Sequence, residues 1–247
     1  TIGTEYDLDW LGRQRGYAWQ LGLTASVYGW NDPAGTLMAL RGWALSDRQT
    51  TLFGRIGEPG VGPVRGLREF YGNFGGRAGY YVGANANYRG EIELRAMHYD
   101  NAANPAAYSS GLRDFAWHTQ FESAGASWTP SDRWTVMSQW LTGDTCVGAQ
   151  PACFQFSSAF LLGSWLRGPN RLSARYDTFQ MHSDAGTFPN RNRGHAWTLD
   201  YQRDLNNNLS VALEALRVDS SLAARPFIGE PETLVESQLQ LAVRAEL

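Results

Sequence analysis

The connections between extended segments constrain this chain most. Twelve stretches alternate apolar and polar residues with period two, at about 4–11, 16–30, 35–45, 79–89, 91–100, 114–128, 132–144, 154–167, 170–181, 194–204, 208–219 and 232–247. From the C-terminus backwards, the connections between them are in turn long and short. They read DSSLAARPFIGEPE, DLNNN, HSDAGTFPNRNR, RGPN, TCVGAQPAC, TPSD, NAANPAAYSSGLR, YRGE, the stretch 46–78, and NDPAG. Only the connection around GRQR is too short to classify. Such alternation is what an up-and-down transmembrane barrel shows, with tight turns at one end and longer loops at the other. A sandwich with Greek-key crossovers has no reason to alternate. The short connections carry turn chemistry, such as Gly-Pro-Asn and Pro-Ser-Asp.

The faces of these segments leave two readings open. Trp197, Leu199 and Tyr201 oppose Thr198, Asp200 and Gln202; Leu172, Ala174 and Tyr176 oppose Arg171, Arg175 and Asp177. In 114–128, Phe115, Trp117, Thr119 and Phe121 oppose His118, Gln120 and Glu122. A soluble barrel turns its apolar stripe inward, whereas a membrane barrel turns it to lipid and encloses the polar stripe. Aromatic placement favours the membrane. Trp10, Tyr17, Trp30, Trp43, Tyr80, Tyr88, Trp117, Trp128, Trp134 and Trp140 recur near segment ends, where an indole or phenol settles at a membrane–water interface. Two segments are irregular: 154–167 contains FLL in a row, and 208–219 changes phase near Leu216.

Composition excludes several classes. Mean hydropathy is −0.38, and no window approaches a spanning helix of about 20 apolar residues. A net charge of −3 argues against nucleic-acid binding by phosphate neutralisation. The 21 basic residues are all Arg. Cys146 and Cys153 fit a local disulfide across a loop, hence an oxidising compartment, with metal binding as the rival reading. No Gly-rich phosphate loop, EF-hand pattern, CxxC or HExxH motif occurs, so neither cofactor nor metal is expected. The chain begins at Thr1 without Met, as a processed form or a fragment would.

The stretches NDPAGTLMALRGWALSDRQT (31–50), GGRAGYYVGANANYRGEIELRAMHYDN (75–101), WTVMSQWLTGDT (134–145) and GHAWTLDYQRDL (194–205), with the terminal strand, resemble Gram-negative outer-membrane porins. The nearest group is the phosphate-selective-porin-like porins. The resemblance implies an all-β, antiparallel up-and-down transmembrane β-barrel in the bacterial outer membrane. About twelve strands are visible, an even number that can close alone or form part of a barrel of around sixteen. It also implies passive diffusion of small hydrophilic solutes or ions, contact with the lipid bilayer, lipopolysaccharide and the outer-membrane assembly machinery, and a homotrimer. The chain ends in Leu247 rather than an aromatic residue, and without Lys the phosphate selectivity does not carry over.

Solute selection in a barrel comes from the side chains at its narrowest part. Strand phase nominates Asp7, Asp9, Gln20, Arg41, Asn85, Asn87, Glu93, Arg95, His118, Gln120, Glu122, Gln139, Arg171, Arg175, Asp177, Asp200, Gln202, Glu214, Gln238, Gln240 and Arg244 as lumen residues. Residues 1–247 read as one barrel domain, with 46–78 as candidate constriction loop or, equally, an external solvated loop. Its Arg48, Arg55, Arg65, Arg68 and Arg77 outnumber Asp47, Glu58 and Glu69 by two and would bias a pore toward anions. The plain alternative is that wall arginines and carboxylates pair and hold the barrel. A phospholipase-like barrel hydrolase and a non-conducting structural barrel are the competing functions. No His has a nucleophilic Ser placed beside it on its own strand face, and no catalysis is expected.

Overall fold

The computed structural model describes residues 2–11, 17–33, 35, 72–111, 114–183, 191–223 and 225–245. The strands are β1 (Ile2–Leu11), β2 (Trp19–Gly29), β3 (Gly79–Tyr88), β4 (Ile92–Asp100), β5 (Tyr108–Ser109), β6 (Asp114–Phe115), β7 (Trp117–Ser131), β8 (Trp134–Val147), β9 (Ala152–Arg167), β10 (Asn170–Ser183), β11 (Arg191–Asn206), β12 (Leu209–Leu222) and β13 (Thr233–Ala245). Eleven of them form one antiparallel sheet in chain order; β5 and β6 make a small hairpin of their own. No pairing among the described residues joins β1 to β13.

Tight turns lie at one end of the sheet. At β3–β4, Arg89 and Gly90 both have positive φ (53° and 75°), and the Glu91 N–H bonds the Tyr88 carbonyl. This left-handed pair matches the twist of the flanking strands. The other end carries the connections 30–78, 101–116, 184–190 and 223–232.

Two readings of the connections are corrected. The segment expected at 35–45 lies outside the described residues except for Gly35, and both edges of β2 are taken by β1 and β3. Trp19–Tyr28 pair directly with Gly79–Tyr88 over ten positions. NDPAG therefore opens the long connection instead of closing a hairpin. The β8–β9 connection is also shorter than its sequence suggests, because pairing runs up to Val147 and Ala152. Cys146 and Cys153 are cross-strand partners there, joined as a disulfide.

Register divides the sheet into two faces. One carries Leu21, Leu23, Leu94, Trp140, Leu161, Trp197, Leu199, Leu213, Leu239 and Leu241, all exposed. Every fully buried strand residue stands on the opposite, covered face, among them Tyr28, Leu141, Phe154, Phe156, Phe179, Met181 and Val218. The exposed face is outward and the covered face inward.

The outward apolar band has edges. Trp19, Tyr88, Trp128, Trp134, Trp165 and Tyr201 mark the one nearer the tight turns, with Trp19–Tyr88 centroids 4.9 Å apart and Trp134–Trp165 6.3 Å. The other edge descends across the sheet. Its last apolar or aromatic residue is Tyr80 on β3, Trp140 on β8, Trp197 on β11 and Ala215 on β12. Ala215 lies in the hydrogen-bonded row of Tyr88, eight residues below Tyr80 and seven strands away. That is about 1.1 residues per strand. At roughly 3.4 Å per residue and 4.8 Å between strands it implies a tilt of about 40°. The lower edge descends in the same sense by about half as much, from Tyr88 to the row of Val211. Barrel strands tilt by about 35–45°.

Candidate functional site

The inward face has two zones. Toward the long connections it is apolar. Trp117, Leu141, Phe154, Phe156 and Met181 pack together, and Phe179, Ala196, Val218 and Leu222 form a second cluster. The chain after β2 lies against the first: a Cβ on Gly35 would touch Thr119, Thr145 and Trp117. Its path is fastened at both ends. The Asp32 carboxylate accepts from the Phe74 and Gly75 N–H groups (2.7 and 3.3 Å), and Asp32 N–H donates to the Gly72 carbonyl. Asn101, almost wholly buried, donates to the Asn31 and Trp117 carbonyls and accepts from the Ala103 and Thr119 N–H groups. The sequence singled out neither Asp32 nor Asn101; an Asn that ends one strand and caps the next has no periodic signature.

Toward the tight turns the inward face is polar. It carries Gln20, Asn85, Asn87, Glu93, Arg95, Gln139, Arg171, Arg175, Asp177, Asp200, Gln202, Glu214, Gln238, Gln240 and Arg244, as register places them. Arg95 grips Glu93 through Nη2 (2.6 Å) and Nε (2.9 Å). Arg175 binds both oxygens of Asp177, at 2.6–3.0 Å, and its guanidinium lies 4.1 Å from the Phe160 ring centroid. Asp200 and Glu214 are direct cross-strand partners, with Gln240 beside Glu214. Like charges in that position repel unless solvent or a counter-ion screens them.

The charge balance of this wall differs from the anion bias expected of its arginines. Among the described strand residues that face inward, Arg95, Arg171, Arg175 and Arg244 stand against Glu5, Asp7, Glu93, Asp177, Asp200, Asp204, Glu214 and Glu236, four positive to eight negative. Glu5, Asp204 and Glu236 were not singled out by the sequence. Arg41, Arg48, Arg55, Arg65 and Arg68 lie outside the described residues, as does most of 46–78; Arg77 is exposed beyond the sheet.

His118, Gln120 and Glu122 are corrected: they stand on the outward face. His118 Nε2 is 3.0 Å from Asp100 Oδ1, His98 Nδ1 is 2.6 Å from Glu122 Oε1, and Gln120 donates to Asp144 at 2.9 Å. Trp117 and Phe121 face inward, and Trp117 is buried rather than placed at an interface. The reason is length. β7 runs beyond the apolar band, and there the usual polarity returns: polar groups meet water outside and apolar groups pack within.

No family model matches the chain, and no curated protein does either. Among solved structures it is similar to a loop L8 deletion mutant of OmpT, an outer membrane protein of Vibrio cholerae. The TM-score is 0.57 at 9% identity, covering 98% of this chain and 62% of that one. The chain thus spans less than two thirds of that protein's length. A second similarity, to the ferric yersiniabactin uptake receptor FyuA of Yersinia pestis, has a TM-score of 0.32 at 10% identity over 98% of this chain and 40% of that one, too low to carry weight. The antiparallel up-and-down sheet with its outward apolar band is the fold of a transmembrane β-barrel wall, like that of the outer membrane protein it is similar to.

Proposed function

We propose that the chain forms the wall of an outer-membrane porin through which small hydrophilic solutes or ions diffuse passively. The observation that carries this reading is the polar inward zone, which lies at the same level as the apolar outward band. Charged and amide side chains enclosed at that depth need water or one another. With twice as many carboxylates as arginines, this wall favours cations over anions. Reversal potential in a planar bilayer under asymmetric KCl tests it. Cation-selective conductance is expected, falling toward neutrality in Asp200→Asn/Glu214→Gln. Anion selectivity would defeat the charge argument, and silence of the inserted protein would defeat the pore.

A hydrolase is the second reading, favoured by one observation. Tyr80 OH, His98 and Glu122 form a hydrogen-bonded chain on the outward face (3.4 and 2.6 Å), a base held by a carboxylate. Turnover of a chromogenic ester, abolished by His98→Ala, would establish it over the porin.

A further inference from the structure

On the outward face, just beyond the apolar band at β8 and β9, lies a polar recess of about 450 Å³. Thr142 and Ser157 form its floor, one step beyond the apolar edge residues Trp140 and Ala159. Arg191 and Arg193 rise on β11, and Gln155 and Gln180 lie between, with Gln180 donating to Ser157 at 3.0 Å. His182 also lines it, and among the described residues no carboxylate does and neither Arg191 nor Arg193 pairs with one. Two guanidinium groups at a membrane edge match a doubly charged phosphate, because each offers planar paired donors. The amides and hydroxyls beside them match sugar hydroxyls. Below the recess the outward face carries small residues, Ala159, Gly163 and Ala174. An apolar groove of about 520 Å³ between Leu199, Ala215 and Leu239 continues from Ala174.

We propose that this recess holds the phosphorylated sugar head group of a glycolipid in the surrounding leaflet, with its acyl chains lying along the small-residue strip. Phosphate meets Arg191 and Arg193; the sugar meets Gln155, Gln180 and Ser157. The proposal rests on the lipid-facing assignment of the outward face and is independent of whether the barrel conducts.

Native mass spectrometry of the intact protein tests it, using detergent micelles doped with a mono-phosphorylated, acylated glucosamine disaccharide. One lipid should be retained per chain. Retention should fall at least tenfold in Arg191→Gln/Arg193→Gln, with heat-modifiable gel mobility unchanged. The wild-type protein should show an equal fall with the dephosphorylated lipid, an arm that needs no variant. Soluble glucosamine phosphate at equal concentration should not displace the lipid. Equal retention of the dephosphorylated lipid, or displacement by the soluble sugar phosphate, overturns the proposal; the latter outcome makes the recess a site for free anions. A protein that enters bilayers but retains no lipid overturns the lipid site alone. One that fails to enter bilayers overturns the membrane reading with it.

Discussion

Single residues fix where the long connection after β2 begins and returns. Asn101 satisfies four backbone groups from three segments, and three of them, on Ala103, Trp117 and Thr119, belong to buried residues. An unsatisfied buried group costs about 1–3 kcal/mol. Asn101→Ala is therefore expected to destabilise the protein by about 3 kcal/mol or more in denaturant titration of the micelle-refolded form, whereas Asn104→Ala, half-buried in the same loop with one side-chain bond, from the Ala106 N–H, should cost about 1 kcal/mol or less. Gly143 has a comparable role within the sheet. A Cβ there would strike the Gln120 carbonyl and Phe121, so Gly143→Val should prevent recovery of the heat-modifiable folded band. The disulfide closes a short loop, seven residues apart in sequence, across a hairpin that is already paired. Its removal by Cys146→Ser/Cys153→Ser is expected to cost about 2–3 kcal/mol, measured as a lower unfolding midpoint without loss of the fold.

At the scale of the strand, position relative to the apolar band matters more than phase. β11 reads outward from one end as Arg191, Arg193, His195, Trp197, Leu199, Tyr201, Arg203: charge, aromatic, aliphatic, aromatic, charge. A strand that crosses one membrane and emerges on both sides has this order. β12 shows why the sequence was hard to read. Leu213 and Ala215 face outward, but beyond them Arg217 and Asp219 do so while Leu216 and Val218 turn inward. The phase change seen at Leu216 is thus the membrane boundary, since the backbone alternation itself never breaks there. The run Phe160, Leu161, Leu162 has a different cause: Leu161 lies in the band, while its neighbours face inward, Phe160 against the Arg175 guanidinium. Strand phase alone places His118, Gln120 and Glu122 in the lumen, because a uniform alternation rule ignores where the band ends. The strands and most of the inner wall were legible because periodicity is local. The boundary was not, because tilt moves it along each successive strand. Leu241→Arg, in the middle of the band on β13, should cost about 2–4 kcal/mol in refolding titrations. Glu122→Leu, beyond the band, should leave stability within about 0.5 kcal/mol.

For the whole molecule, the two zones divide the work. The apolar inner clusters and the fastened residues 31–33 brace the end with long connections, while the polar zone at membrane depth carries the proposed passage. The eleven-stranded sheet, its sloping apolar band and its single order of strands all express one orientation: aliphatic side chains toward acyl chains, carboxylates and arginines toward enclosed water. A nitroxide scan of positions 191–203 in reconstituted vesicles tests this orientation most directly. Oxygen accessibility should peak at 199, with 197 and 201 next, while a water-soluble nickel chelate should reach 191, 193, 198 and 200. Oxygen accessibility highest at 198 and 200, with the chelate reaching 199, would reverse the faces and contradict the membrane-barrel assignment.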